Sequence, residues 1–398
     1  MPPPTDELLE RLLAGIEQEL PRAVALRRRL HGQPELAHAE ERTAAAVAAE
    51  LPVPSSTVAA TGRMARVGPV GGPAIAVRAE LDGLPISERT GASFSAVGPA
   101  MHACGHDVHM AALVALARAA HALADELPAT LVAVLQPSEE AYPSGAEELA
   151  RGELRALAPA AVVAAHVHPE LAWGSVALDP GTVNASSDSV DITVEGEPSH
   201  GAYPHHGRDP ILAIAQIVVA LHALLARRID PHAPAVLTVG VLEGGSTENV
   251  IPERARARAS LRAHRPEDRL ALRAMVEEVA GGIAAAHGCR ASVTLTAGEP
   301  ALQNDAEIVA HARALLSRAG LSPAPEWRSC GSDDFAFFGA LAPIAMAFVG
   351  LDGAEGFRSR PLHHPEFLPP DDAVGAVART LAVLYVAAIG SLGAGEAA

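Results

Sequence analysis

The chain reads as an α/β protein, a mostly parallel-sheet domain with helices on both faces, into which a smaller α+β segment is inserted. Three observations lead there. Up to about residue 185, short apolar runs without alternation are separated by helical patterns, as a parallel sheet covered on both faces requires. From Ser187 to Thr296 the rhythm changes to alternating strands around two long helices. After Glu299 the first pattern resumes. A length of 398 residues exceeds one comfortable core, so two domains are expected, with parts 1–186 and 299–398 enclosing 187–298.

In chain order, the first domain opens with an amphipathic helix from Asp6 to Leu30 and a helix from Glu40 to Leu51. A β run, Ala74 to Val77, follows, then a helix from Met110 to Leu123 and β runs Ala129–Leu135 and Ala160–Ala165. Polar groups stand where these strands stop: Glu80 and Asp82, then Glu139 and Glu140, then His166 and His168. Ligands bind at the carboxyl ends of strands in open α/β sheets, so these groups should converge. The inserted segment has strands at Asp188–Gly196, Pro234–Leu242, Arg254–Leu261 and Arg290–Leu295, with helices Pro210–Arg227 and Glu267–Ala285. That order, β-α-β-β-α-β, is the ferredoxin-like split βαβ arrangement. Helix Asp305–Ala319, strand Ala342–Val349 and helix Asp371–Ile389 complete the first domain.

Charge narrows the partners. With 30 Lys and Arg against 47 Asp and Glu, the net charge of −17 repels phosphate backbones and anionic lipid, so neither nucleic acid nor a membrane is expected as partner. The start, Met-Pro-Pro-Pro-Thr-Asp-Glu, has neither a basic stretch nor an apolar core, and no apolar run approaches the ~20 residues of a bilayer span. Cys104, Cys289 and Cys330 are three thiols at unrelated spacings, which fits a reducing compartment better than a disulfide framework. A cytoplasmic protein is expected.

The densest chemistry lies in Pro99-Ala-Met-His-Ala-Cys-Gly-His-Asp-Val-His-Met110. Thiol and imidazoles this close are costly to bury unless they coordinate something, and they suit zinc and its neighbours. Cys104 beside His106 also admits a thiol nucleophile. In Glu139-Glu140 one carboxylate can hold a metal while its neighbour serves as general base. His166 and His168, His363 and His364, and Ser332-Asp333-Asp334-Phe335 add further polar turns.

These motifs, in this order, resemble the metallopeptidase-clan amidohydrolases that include aminoacylases, hippurate hydrolases and auxin-conjugate hydrolases. The resemblance rests on Leu30-His-Gly-Gln-Pro-Glu-Leu36, Arg78-Ala-Glu-Leu-Asp-Gly-Leu-Pro-Ile86, Met101-His-Ala-Cys-Gly-His-Asp107, Gln136-Pro-Ser-Glu-Glu140 and His166-Val-His-Pro169. It continues through Ser199-His-Gly-Ala-Tyr-Pro-His205, Asn249-Val-Ile-Pro252, Gly331-Ser-Asp-Asp-Phe335 and Leu362-His-His-Pro365. Three positions depart from the family's usual residues: Glu80 for Asp, Asp333 for Glu and Val108 for Gly.

The resemblance implies a two-metal site with ligands Cys104, His106, Glu140, His166 and His363, and Glu139 as the catalytic carboxylate. It implies Asp82 as the carboxylate that orients a ligand imidazole. The inserted domain is implied to pair two subunits and to act as a lid, with His200 reaching the partner's site to steady the oxyanion. Asn249 and Arg262 are implied to bind substrate at that interface. The expected activity is hydrolysis of N-acyl amino acids, with two divalent ions (zinc, manganese, nickel or cobalt) holding the water that Glu139 deprotonates. A dipeptidase or carboxypeptidase, a catalytically silent small-molecule binder and the Cys104 nucleophile are the alternatives.

Overall fold

The computed structural model describes residues 5–394. The chain divides into two compact units, one made of the residues up to Gly181, Gln303–Trp327 and those from Phe337 on, the other of Thr182–Leu302 and Arg328–Ala336.

In the larger unit, eight strands among the described residues form one mixed sheet. Their order is Ser55–Val58, Gly62–Val67, Thr130–Gln136, Ala74–Glu80, Ala161–Ala172, Ile344–Asp352, Ser175–Ala177, Ser322–Pro323. The four central strands run parallel. Every residue of Ala74–Glu80 and of Thr130–Gln136 is buried, which is why those runs are apolar without alternation. The helices Thr5–His31, His106–His121 and Asp372–Ala394 contribute Leu8, Leu12, Leu113, Leu116, Leu381 and Leu384 to the same core. The amphipathic first helix carries acids in its first turn and Arg28, Arg29 and His31 in its last, matching the helix dipole.

Three features of the structure differ from the expectations above. The hairpin Ser55–Val58/Gly62–Val67 was not expected, because its turn is made by Ala59 and Ala60 at φ of 40° and 62° and has no Asn-Gly or Asp-Gly signature. The third helix starts at His106, not Met110, so the Cys-Gly-His stretch forms its first turn. The expectation that no apolar run nears a bilayer span also needs correction. Pro210–Arg228 and Asp372–Leu392 are both long and apolar enough by length and composition, because runs of Ala, Val and Leu are broken by few charges. The window in Asp372–Leu392 is 83% buried within the fold and that in Pro210–Arg228 only 28%.

The smaller unit has its own core, built from Val190, Ile192, Ile214, Ile217, Leu272 and Val276 among others. Elements follow the order strand Ser186–Glu195, helix Pro210–Arg228, strands Ala235–Gly244 and Arg254–Ala263, helix Pro266–Ala286, strand Arg290–Ala297. Its antiparallel sheet is ordered Ala235–Gly244, Arg254–Ala263, Ser186–Glu195, Arg290–Ala297. Burial alternates along Ser186–Glu195, as one buried face demands. Asp209 caps the first of its helices through the N–H groups of Ile211 and Leu212.

Candidate metal centre

Three strand ends and one helix start build the site within the larger unit. Strand Ala74–Glu80 delivers Asp82, strand Thr130–Gln136 delivers Glu139 and Glu140, and strand Ala161–Ala172 carries His166. The helix His106–His121 begins at Gly105, in the left-handed region at φ +88°. A Cβ at Gly105 would lie 2.5 Å from Val167 Cγ2, so only glycine lets this helix start press against the strand that holds His166.

That approach brings Cys104 Sγ within 3.4 Å of His166 Nε2. Cys104, His106 and Glu140 each offer a ligand atom within 4.8 Å of the others. His363 Nε2 lies 3.2 Å from Glu140 Oε1, and the His363 N–H donates to the Ala103 carbonyl at 2.9 Å, tying this loop to the Cys104 segment. All five side chains anticipated as ligands therefore gather in one place. The neighbouring His364 is engaged locally, its Nδ1 accepting the Glu366 N–H at 3.1 Å.

Hydrogen bonds fix which atoms are left for a cation. His106 Nδ1 is 2.8 Å from the Asp82 carbonyl oxygen and donates to it, so Nε2 is the ring nitrogen that a cation can displace a proton from. His166 Nδ1 donates to the Val167 carbonyl at 2.7 Å, which turns its Nε2 toward Cys104. His106 Nε2 and Glu140 Oε1 are buried with no hydrogen-bond partner; His363 is close to the latter but misaligned. Leaving such atoms unpaired costs about 1–3 kcal/mol each, and a divalent ion between them removes that cost. Thiol, imidazole and carboxylate together fit a borderline-soft divalent cation.

The electrostatics agree. Burial alone would push His106 down, but Asp82, Glu80 and Glu140 outweigh it and hold the imidazole up at about 10. This is a place that demands positive charge. Burial and the neighbouring His109 push His166 well below the usual histidine range, so its ring stays neutral and able to coordinate. Burial raises Asp82, yet His106 and the backbone N–H groups of Glu140 and Glu139 bring it below the usual carboxylate range. Asp82 thus touches both the helix-borne imidazole and the loop of the acidic pair, with the Glu140 N–H at 2.9 Å. Glu139 Oε2 sits 3.8 Å from His106 Nε2.

Two residues outside the implied ligand set complete the surroundings. His109 Nδ1 donates to Glu80 Oε2 at 2.9 Å, and its Nε2 accepts the Val167 N–H at 3.0 Å. Both ring nitrogens are occupied, so His109 joins helix to strand rather than holding an ion. Glu80 engages Arg78 through its other oxygen; with burial opposed first by Arg78 and then by His109, it stays well below the usual carboxylate range. Its extra methylene relative to Asp is absorbed by these two partners. The signal for His109 was its three-residue offset from His106, which puts both on one helix face. His102 is buried with neither ring nitrogen paired, and burial pushes it down to about 4. His168 packs its ring on Trp327 at 4.8 Å between centroids.

The remaining candidates lie in the smaller unit. His200 is in the two-residue strand Ser199–His200, paired with Val250–Ile251, and the Gly201 N–H donates to the Asn249 carbonyl at 2.7 Å. His200 and Asn249 are therefore neighbours. Arg262 donates to Ser332 Oγ at 2.6 Å and to Ser260 Oγ at 3.2 Å.

Peptidase family M20/M25/M40 matches residues 76–385, which include every one of these side chains. The chain belongs to this family. It is accordingly an amide-bond hydrolase, and the amidohydrolase resemblance stands. Among its relatives, an N-acetyl-L-cysteine deacetylase of Bacillus subtilis is 35% identical over 371 residues, covering 91% of this chain and 86% of that protein. An N-acetyldiaminopimelate deacetylase of Shouchella clausii is 34% identical over 304 residues, covering 76% and 79%. A solved dinuclear metal-binding peptidase of the M20 family from Bacillus subtilis superposes with a TM-score of 0.81 at 29% identity, covering 93% of this chain and 98% of that one.

Proposed function

We propose that this M20-family hydrolase removes the acyl group from N-acyl amino acids, with Cys104, His106, Glu140, His166 and His363 holding two divalent cations and Glu139 moving the proton. The observation that supports it most is the pair of buried, unpartnered atoms, His106 Nε2 and Glu140 Oε1, facing one another among the other three donors. Zinc, manganese, nickel and cobalt all suit that donor set. Bound there, the cations supply a nucleophilic water at neutral pH and polarise the amide carbonyl.

The chain's own groups do the rest. Glu139 takes the proton of the attacking water and returns it to the departing amine nitrogen. Asp82 fixes the His106 tautomer and, through the backbone N–H groups of the acidic pair, the stance of Glu139. His200 donates a hydrogen bond to the tetrahedral oxyanion of the partner's substrate, while Asn249 and Arg262 hold the substrate. This requires a homodimer formed through the smaller unit, the inserted ferredoxin-like lid. Its β-α-β-β-α-β order supports that reading, as does strand Ala235–Gly244 at one edge of its sheet. Helix Pro210–Arg228 adds to the support by leaving Leu212 and Val219 exposed at 50% and 70%. A cytoplasmic location is supported by three cysteines that form no disulfide.

The names of the deacetylase relatives favour acylated amino acids over free dipeptides. The experiment is to load the purified protein with manganese or zinc and follow release of free amino acid from N-acetyl-cysteine, N-acetyldiaminopimelate, N-benzoyl-glycine and free dipeptides. Cleavage of acyl amino acids is expected. Turnover confined to dipeptides would replace this reading with a dipeptidase, and undiminished activity in chelator would favour Cys104 as nucleophile.

A further inference from the structure

The residue before the acidic pair is strained. Ser138 has φ +51°, in the left-handed region that a non-glycine residue seldom enters, and it is only 3% exposed. Such a conformation persists only where the surroundings over-determine it.

The surroundings are specific. The carboxylate of Glu40, fully buried, accepts the Ser138 N–H at 2.8 Å on Oε1, with Ser138 Oγ 3.2 Å from the same oxygen. Its Oε2 accepts the Thr61 hydroxyl at 2.8 Å, anchoring it to the start of strand Gly62–Val67. From the other side, Ser138 Oγ accepts the His38 N–H at 3.0 Å and lies 2.9 Å from His38 Nδ1. His38 is itself left-handed, at φ +67°. The Ser138 carbonyl accepts the Gly145 N–H at 3.1 Å, and a Cβ on Gly145 would fall 1.9 Å from the Pro137 carbonyl oxygen, so the loop closes on itself only with glycine there.

Glu40 forgoes a local role to do this. It stands at the N-cap of helix Glu41–Ala48, yet its side chain makes no cap hydrogen bond and reaches instead to a residue 98 positions away. The loop is thus clamped at both ends by buried carboxylates, Asp82 on the N–H groups of Glu139 and Glu140, Glu40 on Ser138.

We infer that Glu40 is a positioning residue for catalysis: by holding Ser138 left-handed, it sets the direction in which Glu139 leaves the strand end. The inference rests on Glu139 as the proton-moving carboxylate. Thr61 and His38 support the same clamp, one by fixing Glu40 and the other by gripping the serine hydroxyl.

The test uses metal-saturated protein and three variants. Glu40→Ala leaves the Ser138 N–H without its acceptor, and a misplacement of about 1 Å at a reacting group typically costs on the order of 100-fold. A fall in kcat of about 10- to 100-fold is expected, with KM within about threefold and metal content unchanged. Glu40→Gln, whose amide oxygen still accepts the N–H, should lose far less. Glu40→Ala with Ser138→Gly should recover much of the lost kcat, because glycine takes positive φ without the clamp. Should Glu40→Ala fail to fold, Ser138→Val carries the test: a β-branched residue resists positive φ and should reproduce the kcat loss. Hydrogen exchange on the metal-free protein supplies a readout apart from activity, with the peptide spanning 137–141 exchanging faster in Glu40→Ala and that spanning 161–166 unchanged.

A kcat for Glu40→Ala equal to the parent's, or a double variant as slow as the single one, overturns the inference while leaving Glu139 in place. A Glu139→Gln protein that turns over like the parent removes the reading beneath it.

Discussion

Replacing Gly105 with alanine probes the junction that brings the proposed ligands Cys104, His106 and His166 together. At φ +88° an L side chain carries a left-handed penalty of about 1–2 kcal/mol. The new Cβ would meet Val167 Cγ2 at 2.5 Å, well inside contact distance, and overpacking of that kind costs about 1–3 kcal/mol. The sum, roughly 2–5 kcal/mol, corresponds to a Tm lower by about 5–15 °C for a unit of this size. The strain acts between the segment carrying Cys104 and His106 and the strand carrying His166, so ligand geometry suffers with stability. Metal affinity should fall by about 10-fold or more, as with losses that disorient ligands elsewhere. The assay is thermal unfolding with and without added zinc, paired with competition against a chromophoric chelator. The parent should gain Tm on metal binding and Gly105→Ala should gain markedly less. A variant that melts with the parent and takes up zinc equally well would refute the argument.

Glu139→Gln should retain the parent's metal content and lose about 100-fold or more in kcat, measured by amino-acid release and elemental analysis on the same preparation. A buried network beside the site predicts a pH profile of stability. Burial lowers His31, but Asp107 and Glu88 outweigh it and hold the ring up at about 9. Burial raises Glu88, but His31, Thr90 and the Ala96 N–H bring it to about 2. Stabilisation from His31 is complete below its unfolded value of about 6.5 and is lost as pH rises through about 9, a loss on the order of 3 kcal/mol. That from Glu88 is complete above its unfolded value of about 4.3 and fades as pH falls toward about 2. Denaturation of metal-free protein between pH 5 and 10 should show the alkaline loss, and His31→Gln should flatten it.

The parts of the fold that the amino-acid sequence discloses are those where one local cause dominates. Ala74–Glu80 and Thr130–Gln136 are buried throughout, so their continuous apolar runs announce them, and the acids after them mark the site. The Cys-Gly-His-Asp stretch is dense enough to identify itself. Other features depend on contacts between distant residues. Gly105 starts its helix in the left-handed region without a side-chain cap, so no Ser, Thr or Asp announces the true beginning at His106. Glu80 looks like a ligand by type and becomes a partner of Arg78 and His109 only through the fold. The hairpin around Ala59 and Ala60 and the clamp of Glu40 on Ser138 both use non-glycine residues at positive φ, which no composition rule foresees.

The most direct test is the rate of free amino acid release from N-acetyl-cysteine by protein stripped with chelator, then titrated with zinc or manganese. Activity should be absent in the stripped protein and return as metal is added, saturating at two equivalents per chain. An equal rate before and after stripping would contradict a metal-dependent reaction at Cys104, His106, Glu140, His166 and His363.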